Sequence, residues 1–200
     1  MVPSVPAGPF FVHPCGGGVE LVLRDLSTTV EMHELTVANL DRLRRWEQWA
    51  GLEPTLPATF ESTTRRLEAF IRGQALPCAI RVGGALVGSV ELSIDLAEGT
   101  GELGYWIDAD AEGQGVARRA CDAVLDHAFE QAGLSRVEAR VASGNVRSRR
   151  LAERLGFTLE GTLRSAHVVG GVRQDVALYG LVAEDRSRSL HRRSTMSAIA

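Results

Sequence analysis

Residues 110–117 (Asp-Ala-Glu-Gly-Gln-Gly-Val-Ala) join a strand-like run to a strongly amphipathic helix. No other juncture constrains the fold of this chain as tightly. Gly113, Gly115 and Ala117 keep side chains small at a helix entrance, so backbone N–H groups can come close to a bound anion. The helix N-terminus adds a positive partial charge of about half a unit. That combination grips a pyrophosphate without a lysine and points to a nucleotide-bearing cofactor. Two common phosphate loops are excluded: no Lys-Ser/Thr follows the glycines, and Gly113-x-Gly115-x-x-Arg118 lacks a third glycine. A plain strand-to-helix loop also accounts for the glycine spacing taken alone.

Around this juncture the chain alternates between two periods. Val19, Leu21 and Leu23 alternate with Glu20, Val22 and Arg24, which predicts a strand over 18–26. Helices are expected over 30–50, ended by Gly51, and over 62–71, with Pro54 and Pro57 in a loop between them. Strands over 77–82 and 86–94 meet at Gly83-Gly84, a pair that tolerates the positive φ of a hairpin turn. A strand over 102–108 leads to the glycine turn. The helix over 116–132 repeats Val116, Ala120, Val124, Ala128 and Ala132 every four residues. A strand over 136–141, a helix over 145–155 and strands over 157–163 and 172–182 complete the order β-α-α-β-β-β-α-β-α-β-β. The predicted class is α/β (α+β): a mixed, mostly antiparallel sheet of about seven strands flanked by about four helices. The crossover over 102–141 makes one locally parallel pair. Residues 1–17 are expected to be loose, 18–183 to form the domain, and 184–200 to be a disordered, arginine-rich tail.

Charge and composition narrow the function. The basic residues are all arginine, and the net charge of −3 becomes −7 once the four arginines after Asp185 are set aside. An acidic body argues against a nucleic-acid surface on the core and suits a cationic acceptor such as an amine. The tail arginines could dock on RNA or ribosomes, but a solvated tail is the plainer reading. Cys15, Cys78 and Cys121 are too far apart for a disulfide framework, and the five histidines show no ligand spacing, so no metal is expected. No apolar run reaches membrane-spanning length and no signal-peptide pattern opens the chain, which together suggest a cytoplasmic protein.

A second motif follows the strand over 136–141. Asn145 is a good helix N-cap and begins Asn145-x-x-Ser148…Leu155-Gly156-Phe157. A Gly-x-Gly-x-Ala turn after a strand ending Tyr105-Trp106-Ile107, with this segment thirty residues on, resembles the GNAT acetyltransferase superfamily. Ala38-Asn39-Leu40…Leu43…Trp46…Trp49 and Asp175…Tyr179-Gly180-Leu181-Val182 are similar to its RimJ/RimL-type N-acetyltransferase branch. The resemblance covers about residues 18–183.

The resemblance implies the acyl-CoA N-acyltransferase fold, with acetyl-CoA in a V-shaped opening between diverging parallel strands, 103–108 and 136–141. The pantetheine arm would pair with strand backbone near Trp106 and Ile107. The pyrophosphate would meet the N–H groups of Gly113, Gln114, Gly115, Val116 and Ala117. Asn145 would bond the pantetheine arm or the thioester region, and Ser148 would lie near the sulfur. Two positions depart from the family. Glu112 puts a carboxylate where Gln or Arg is usual, so it must face solvent or pair with an arginine. Ala152 stands where many members carry a tyrosine general acid, which makes Ser148 the first proton donor to consider and water the alternative.

The acceptor sets the rest. A protonated amine cannot attack a thioester; an N-terminal α-amine has a pKa of about 8, against about 10.4 for lysine. A carboxylate can take its proton: Glu102 first, Glu91 second, although either can be a solvent-facing strand residue. Tyr105 and Asp175 either orient the acceptor or serve as packing and turn residues. No cysteine is placed as an acyl carrier, so direct attack in a ternary complex is expected. The acceptor is a protein N-terminus or a small amine, and the donor acetyl-CoA or a longer acyl-CoA such as succinyl-CoA. An acyl-CoA-binding regulatory module with little turnover is the competing class. Oligomeric state stays open, a homodimer included.

Overall fold

The structure, a computed structural model, describes residues 12–187. Their eight strands form one sheet: β1 (Val12–Gly16), β2 (Val19–Leu23), β3 (Ala75–Val82), β4 (Ala85–Asp95), β5 (Thr100–Ile107), β6 (Arg136–Ala142), β7 (Thr158–Val169) and β8 (Val172–Val182). Their order is β1-β2-β3-β4-β5-β6-β8-β7. Only β5 and β6 run parallel. Five α-helices accompany them: α1 (Thr29–Ala38), α2 (Leu40–Leu43), α3 (Leu56–Ile71), α4 (Val116–Asp126) and α5 (Val146–Leu155). The mixed, mostly antiparallel sheet is the one expected, with one strand more than about seven.

That extra strand is β1, inside the segment read as loose. Pro14 and three consecutive glycines disguise it, yet Gly16, Gly17 and Gly18 all adopt positive φ and turn the chain back onto β2. Other boundaries also move. The helix expected over 30–50 breaks at Asn39, whose side chain competes for backbone partners. Its Nδ2 donates to Leu35 O at 3.0 Å and to Asp108 Oδ1 at 2.9 Å, and its Oδ1 accepts from Arg42 and the Ala109 N–H. α3 starts six residues earlier than predicted, because Thr55 caps it and Pro57 sits in its first turn, where a missing N–H costs nothing. β7 runs on to Val169 through a register shift, with Ser165 at φ +52°.

Residues 184–187, read as the start of the tail, are helical. Arg186 is buried, donating to Asp122 Oδ1 at 2.9 Å and Asp126 Oδ1 at 2.5 Å on α4. Arg188, Arg192 and Arg193 lie outside the described residues.

The sheet has two unlike faces. On one, α4 buries Val116, Ala120, Cys121, Val124 and Leu125 against Leu21, Ile80, Val90, Leu92, Leu103 and Val137. Each such aliphatic side chain contributes about 1.5–3 kcal/mol on burial. On the other face, Val22, Ala79 and Leu86 pack under Met32 of α1. Further across that face the pattern turns polar, through Ser89, Glu91 and Ser93 of β4 and Glu102 of β5. A cavity lies over those residues.

The parallel pair is short. Thr100, Gly101 and Glu102 register with Arg136, Val137 and Glu138, and beyond Glu102 the ladder ends. β6 continues against β8 through Ala142, while β5 stays with β4 through Ile107. The two strands therefore part, and the gap between them is the expected splay.

Candidate functional site

Two cavities open on this gap. The first, about 1030 Å³, runs from the gap along the glycine turn. Six arginines line it (Arg42, Arg45, Arg118, Arg147, Arg150 and Arg154), against the carboxylates of Glu47 and Glu112. At its floor Gly113 and Gly115 both take φ +77°, a left-handed conformation that favours glycine, and a Cβ on either would meet only open space. Gly115 is the N-cap of α4 and its side-chain-free cap leaves the helix's first N–H groups without a side-chain partner. Open backbone donors, a helix N-terminus and excess positive charge suit a polyanion such as a pyrophosphate.

Glu112 is held rather than solvated. Its two carboxylate oxygens accept from Arg42 of α2 and Arg147 of α5. The carboxylate is thereby neutralised, and it ties both helices to the turn.

The second cavity, about 780 Å³, lies over the polar face of the sheet. α3 and the loop after α2 wall it, and Ala166 and His167 of β7 close one side. The His167 ring nitrogen lies 3.0 Å from Trp46 O, which fastens the β7–β8 hairpin to that loop. Tyr105, Trp106, Asn145 and Ser148 line both cavities, so the two lobes meet there. The Tyr105 hydroxyl crosses the gap and donates to Ser148 Oγ at 3.1 Å. Burial pushes the Tyr105 pKa far above its ordinary range, more than the bond to Ser148 lowers it. Asn145 Oδ1 accepts the Ser148 N–H at 3.1 Å, which fixes the start of α5 at the junction.

The residues singled out from sequence divide accordingly. Gly113, Gly115, Val116, Ala117, Trp106, Ile107, Asn145 and Ser148 all line the first lobe. Gln114 does not; its side chain donates to Asp110 O at 2.7 Å. Glu102 lines the second lobe, exposed and without an ion pair among the described residues. Glu91 lines it too, but Arg66 holds its carboxylate. Asp175 lies outside both lobes and accepts the Ser165 N–H at 2.8 Å, which supports the turn-residue reading.

Sequence reasoning missed Glu47, which lines both lobes and accepts from the Trp49 indole at 2.8 Å. Burial raises its pKa, with the indole bond and the charge of His167 pulling the other way. Only its place between Trp46 and Trp49 could have marked it. Among the described residues, no group of three or more His, Cys, Asp or Glu could hold a metal ion, and no helix is long and apolar enough to cross a membrane.

A cationic groove that suits a polyanion, meeting a second cavity where two parallel strands part, is an arrangement fit for group transfer between two bound molecules. Residues 20–158 match the acetyltransferase (GNAT) domain family, and the chain belongs to it. It is an N-acetyltransferase of the RimJ/RimL type. It is 33% identical over 157 residues to the Bacillus subtilis (strain 168) protein named "Putative ribosomal N-acetyltransferase YdaF", covering 76% of this chain and 84% of that one. It is 26% identical over 173 residues to the ribosomal-protein-serine acetyltransferase of Escherichia coli (strain K12), covering 80% and 97%. Among solved structures, Mycobacterium smegmatis RimJ in complex with CoA-disulfide superimposes with a TM-score of 0.79 at 27% identity, covering 89% of this chain and 87% of that one.

Proposed function

We propose that this enzyme moves an acetyl group from acetyl-CoA to the α-amine of a polypeptide N-terminus, by direct attack within a ternary complex. The observation that carries this reading is the meeting of the two lobes at Tyr105, Trp106, Asn145 and Ser148. Bound in the arginine-lined lobe, acetyl-CoA supplies an acetyl group as a thioester. A C–N bond forms to a neutral amine, the C–S bond breaks, and the amine's proton must leave.

Glu102 takes that proton, directly or through one water. It faces the acceptor lobe without an ion-pair partner among the described residues, whereas Glu91 is engaged by Arg66. Ser148 donates a hydrogen bond to the departing sulfur. With its pKa raised, Tyr105 stays protonated and holds Ser148 Oγ as an acceptor, so the serine proton is free to turn to the sulfur. A thiol has a pKa near 8.5, so its thiolate leaves with an oriented donor and without full protonation. Gly113 to Ala117 hold the pyrophosphate through backbone N–H groups, and Trp106 and Ile107 offer strand backbone to the pantetheine arm.

Two facts favour a polypeptide N-terminus over a small amine. Two relatives are named a putative ribosomal N-acetyltransferase and a ribosomal-protein-serine acetyltransferase. The acceptor lobe, at about 780 Å³, is large enough to bury several residues of an extended chain. Thiol release from acetyl-CoA is expected with peptides bearing a free N-terminus and not with the same peptides blocked, the acetyl group appearing on the α-nitrogen. Turnover of small amines with no peptide acetylated would overturn the polypeptide acceptor.

A further inference from the structure

One wall of the acceptor lobe contains a guanidinium that no carboxylate of the described residues pairs with. Arg24 follows β2, is only 9% exposed, and lines the lobe. Its Nε is buried with no hydrogen-bond partner, and no carboxylate of the described residues forms an ion pair with its guanidinium. Burial, and after it the nearby Arg66, push its pKa down to about 10, so it remains cationic at neutral pH. Glu91 acts on Arg24 in the opposite sense, but its carboxylate is already bound by Arg66, which also donates to Ser62. Two guanidiniums thus share one carboxylate at this end of the lobe, while the other carboxylates that line it, Glu47, Glu53 and Glu102, form no ion pair with Arg24 among the described residues. Arg65, on the same helix as Arg66, is matched by Glu61. A buried cation without a partner is costly, and an anion entering the lobe would relieve that cost.

The sheet register says how far that anion lies from the reacting amine. The Arg24 N–H bonds Pro77 O at 2.9 Å, Pro77 registers with Glu91, and Glu91 with Gly104. Three strand spacings of about 4.8 Å put the Arg24 Cα about 14 Å from Gly104, which adjoins Tyr105 at the junction of the lobes. A free α-amino acid holds its carboxylate two bonds from its nitrogen and cannot span that interval. An extended peptide advances about 3.4 Å per residue. Its first nitrogen and an acidic side chain one or two residues on can reach both points, with the long arginine extended inward.

We infer that the acceptor lobe selects polypeptide N-termini with Asp or Glu at the second or third residue, that carboxylate pairing with Arg24. The inference rests on the polypeptide reading above and adds to it a subsite and a sequence preference. Gly104 fits the same path: a Cβ there would meet nothing within 4 Å, so the lobe's floor is clear between the two points.

The test is a set of peptides identical except for Asp, Asn or Lys at positions two and three, assayed for kcat/KM at saturating acetyl-CoA. Wild-type enzyme is expected to favour the Asp peptide over its Asn counterpart by about tenfold, with the Lys peptide poorest. In Arg24→Gln the Asp-to-Asn ratio is expected to fall to about one, with folding of the variant checked by its Tm. The wild-type comparison stands whether or not that variant folds. Peptides acetylated with less than a twofold difference between Asp and Asn would overturn this inference and leave the polypeptide acceptor intact. So would a ratio unchanged in a folded Arg24→Gln. No peptide acetylated while small amines turn over would overturn both.

Discussion

Glu112 has the wrong sign for a residue beside the proposed pyrophosphate site, and its surroundings explain why it is tolerated there. Arg42 and Arg147 take one carboxylate oxygen each, so the acid acts as a clasp between α2 and α5. The sequence posed that alternative, solvent or an arginine, but could not choose, because Arg42 lies seventy residues away and only the fold brings it near. The Tyr105–Ser148 bond was hidden for the same reason: both residues were legible, but their contact crosses the strand gap. Glu47 and Arg24 gave no signal, since a lone acid between tryptophans and a lone arginine at a strand end are ordinary in sequence. At this scale the proposed chemistry makes separable claims. Glu102→Gln and Ser148→Ala should each lower kcat by about 10²-fold, in the range of general acid–base and oriented-donor contributions, with acetyl-CoA affinity little changed. Tyr105→Phe should cost less, about tenfold, because it removes the bond that orients the serine hydroxyl and leaves the hydroxyl itself in place. Calorimetric titration of acetyl-CoA alongside steady-state kinetics checks all three, and unchanged turnover in Glu102→Gln and Ser148→Ala would remove them from the mechanism.

The elements that make the site are two strands that separate and two helices that start at the gap. α4 and the strands around it were legible because their apolar periods are long and regular. The break at Asn39 and the early start of α3 were not, because each depends on a side chain bonding backbone (Asn39 across to the 108–109 turn, Thr55 to its own first turn). Close strand contact also leaves no trace in a hydrophobic pattern. Gly88 of β4 has ordinary φ, yet a Cβ there would run into Trp106 O and lie 2.9 Å from Ile107 Cα, both backbone atoms of β5. The β4–β5 pair that carries Trp106 and Ile107 therefore closes only over a glycine. Gly88→Ala should destabilise the fold by about 2–3 kcal/mol, as overpacking against rigid backbone does, and weaken acetyl-CoA binding through displacement of β5. Urea denaturation checks the first effect, and a loss under about 0.5 kcal/mol would show that the strands part easily.

Across the whole molecule one sheet does two jobs. One face is apolar, packed on α4, and supports the structure. The other is covered in part by α1 and turns polar through Ser89, Glu91, Ser93 and Glu102, where the proposed acceptor cavity lies. The glycine turn and the Asn145 segment made the proposed donor side readable, because backbone geometry at a helix entrance has a sequence signature. The acceptor side was not readable, because it is assembled from α2, α3, β4, β5 and the β7–β8 hairpin, distant parts joined by contacts such as that of His167 with Trp46 O. The central claim, that donor and acceptor occupy adjoining lobes at once and react directly, is tested by an initial-velocity matrix of thiol release. Acetyl-CoA and an N-terminal peptide are both varied, with the acetylated nitrogen located by mass spectrometry. Intersecting double-reciprocal lines and acetylation of the α-amine are expected. Parallel lines with a trapped acetyl-enzyme, or tight acetyl-CoA binding with no transfer to any primary amine, would contradict it.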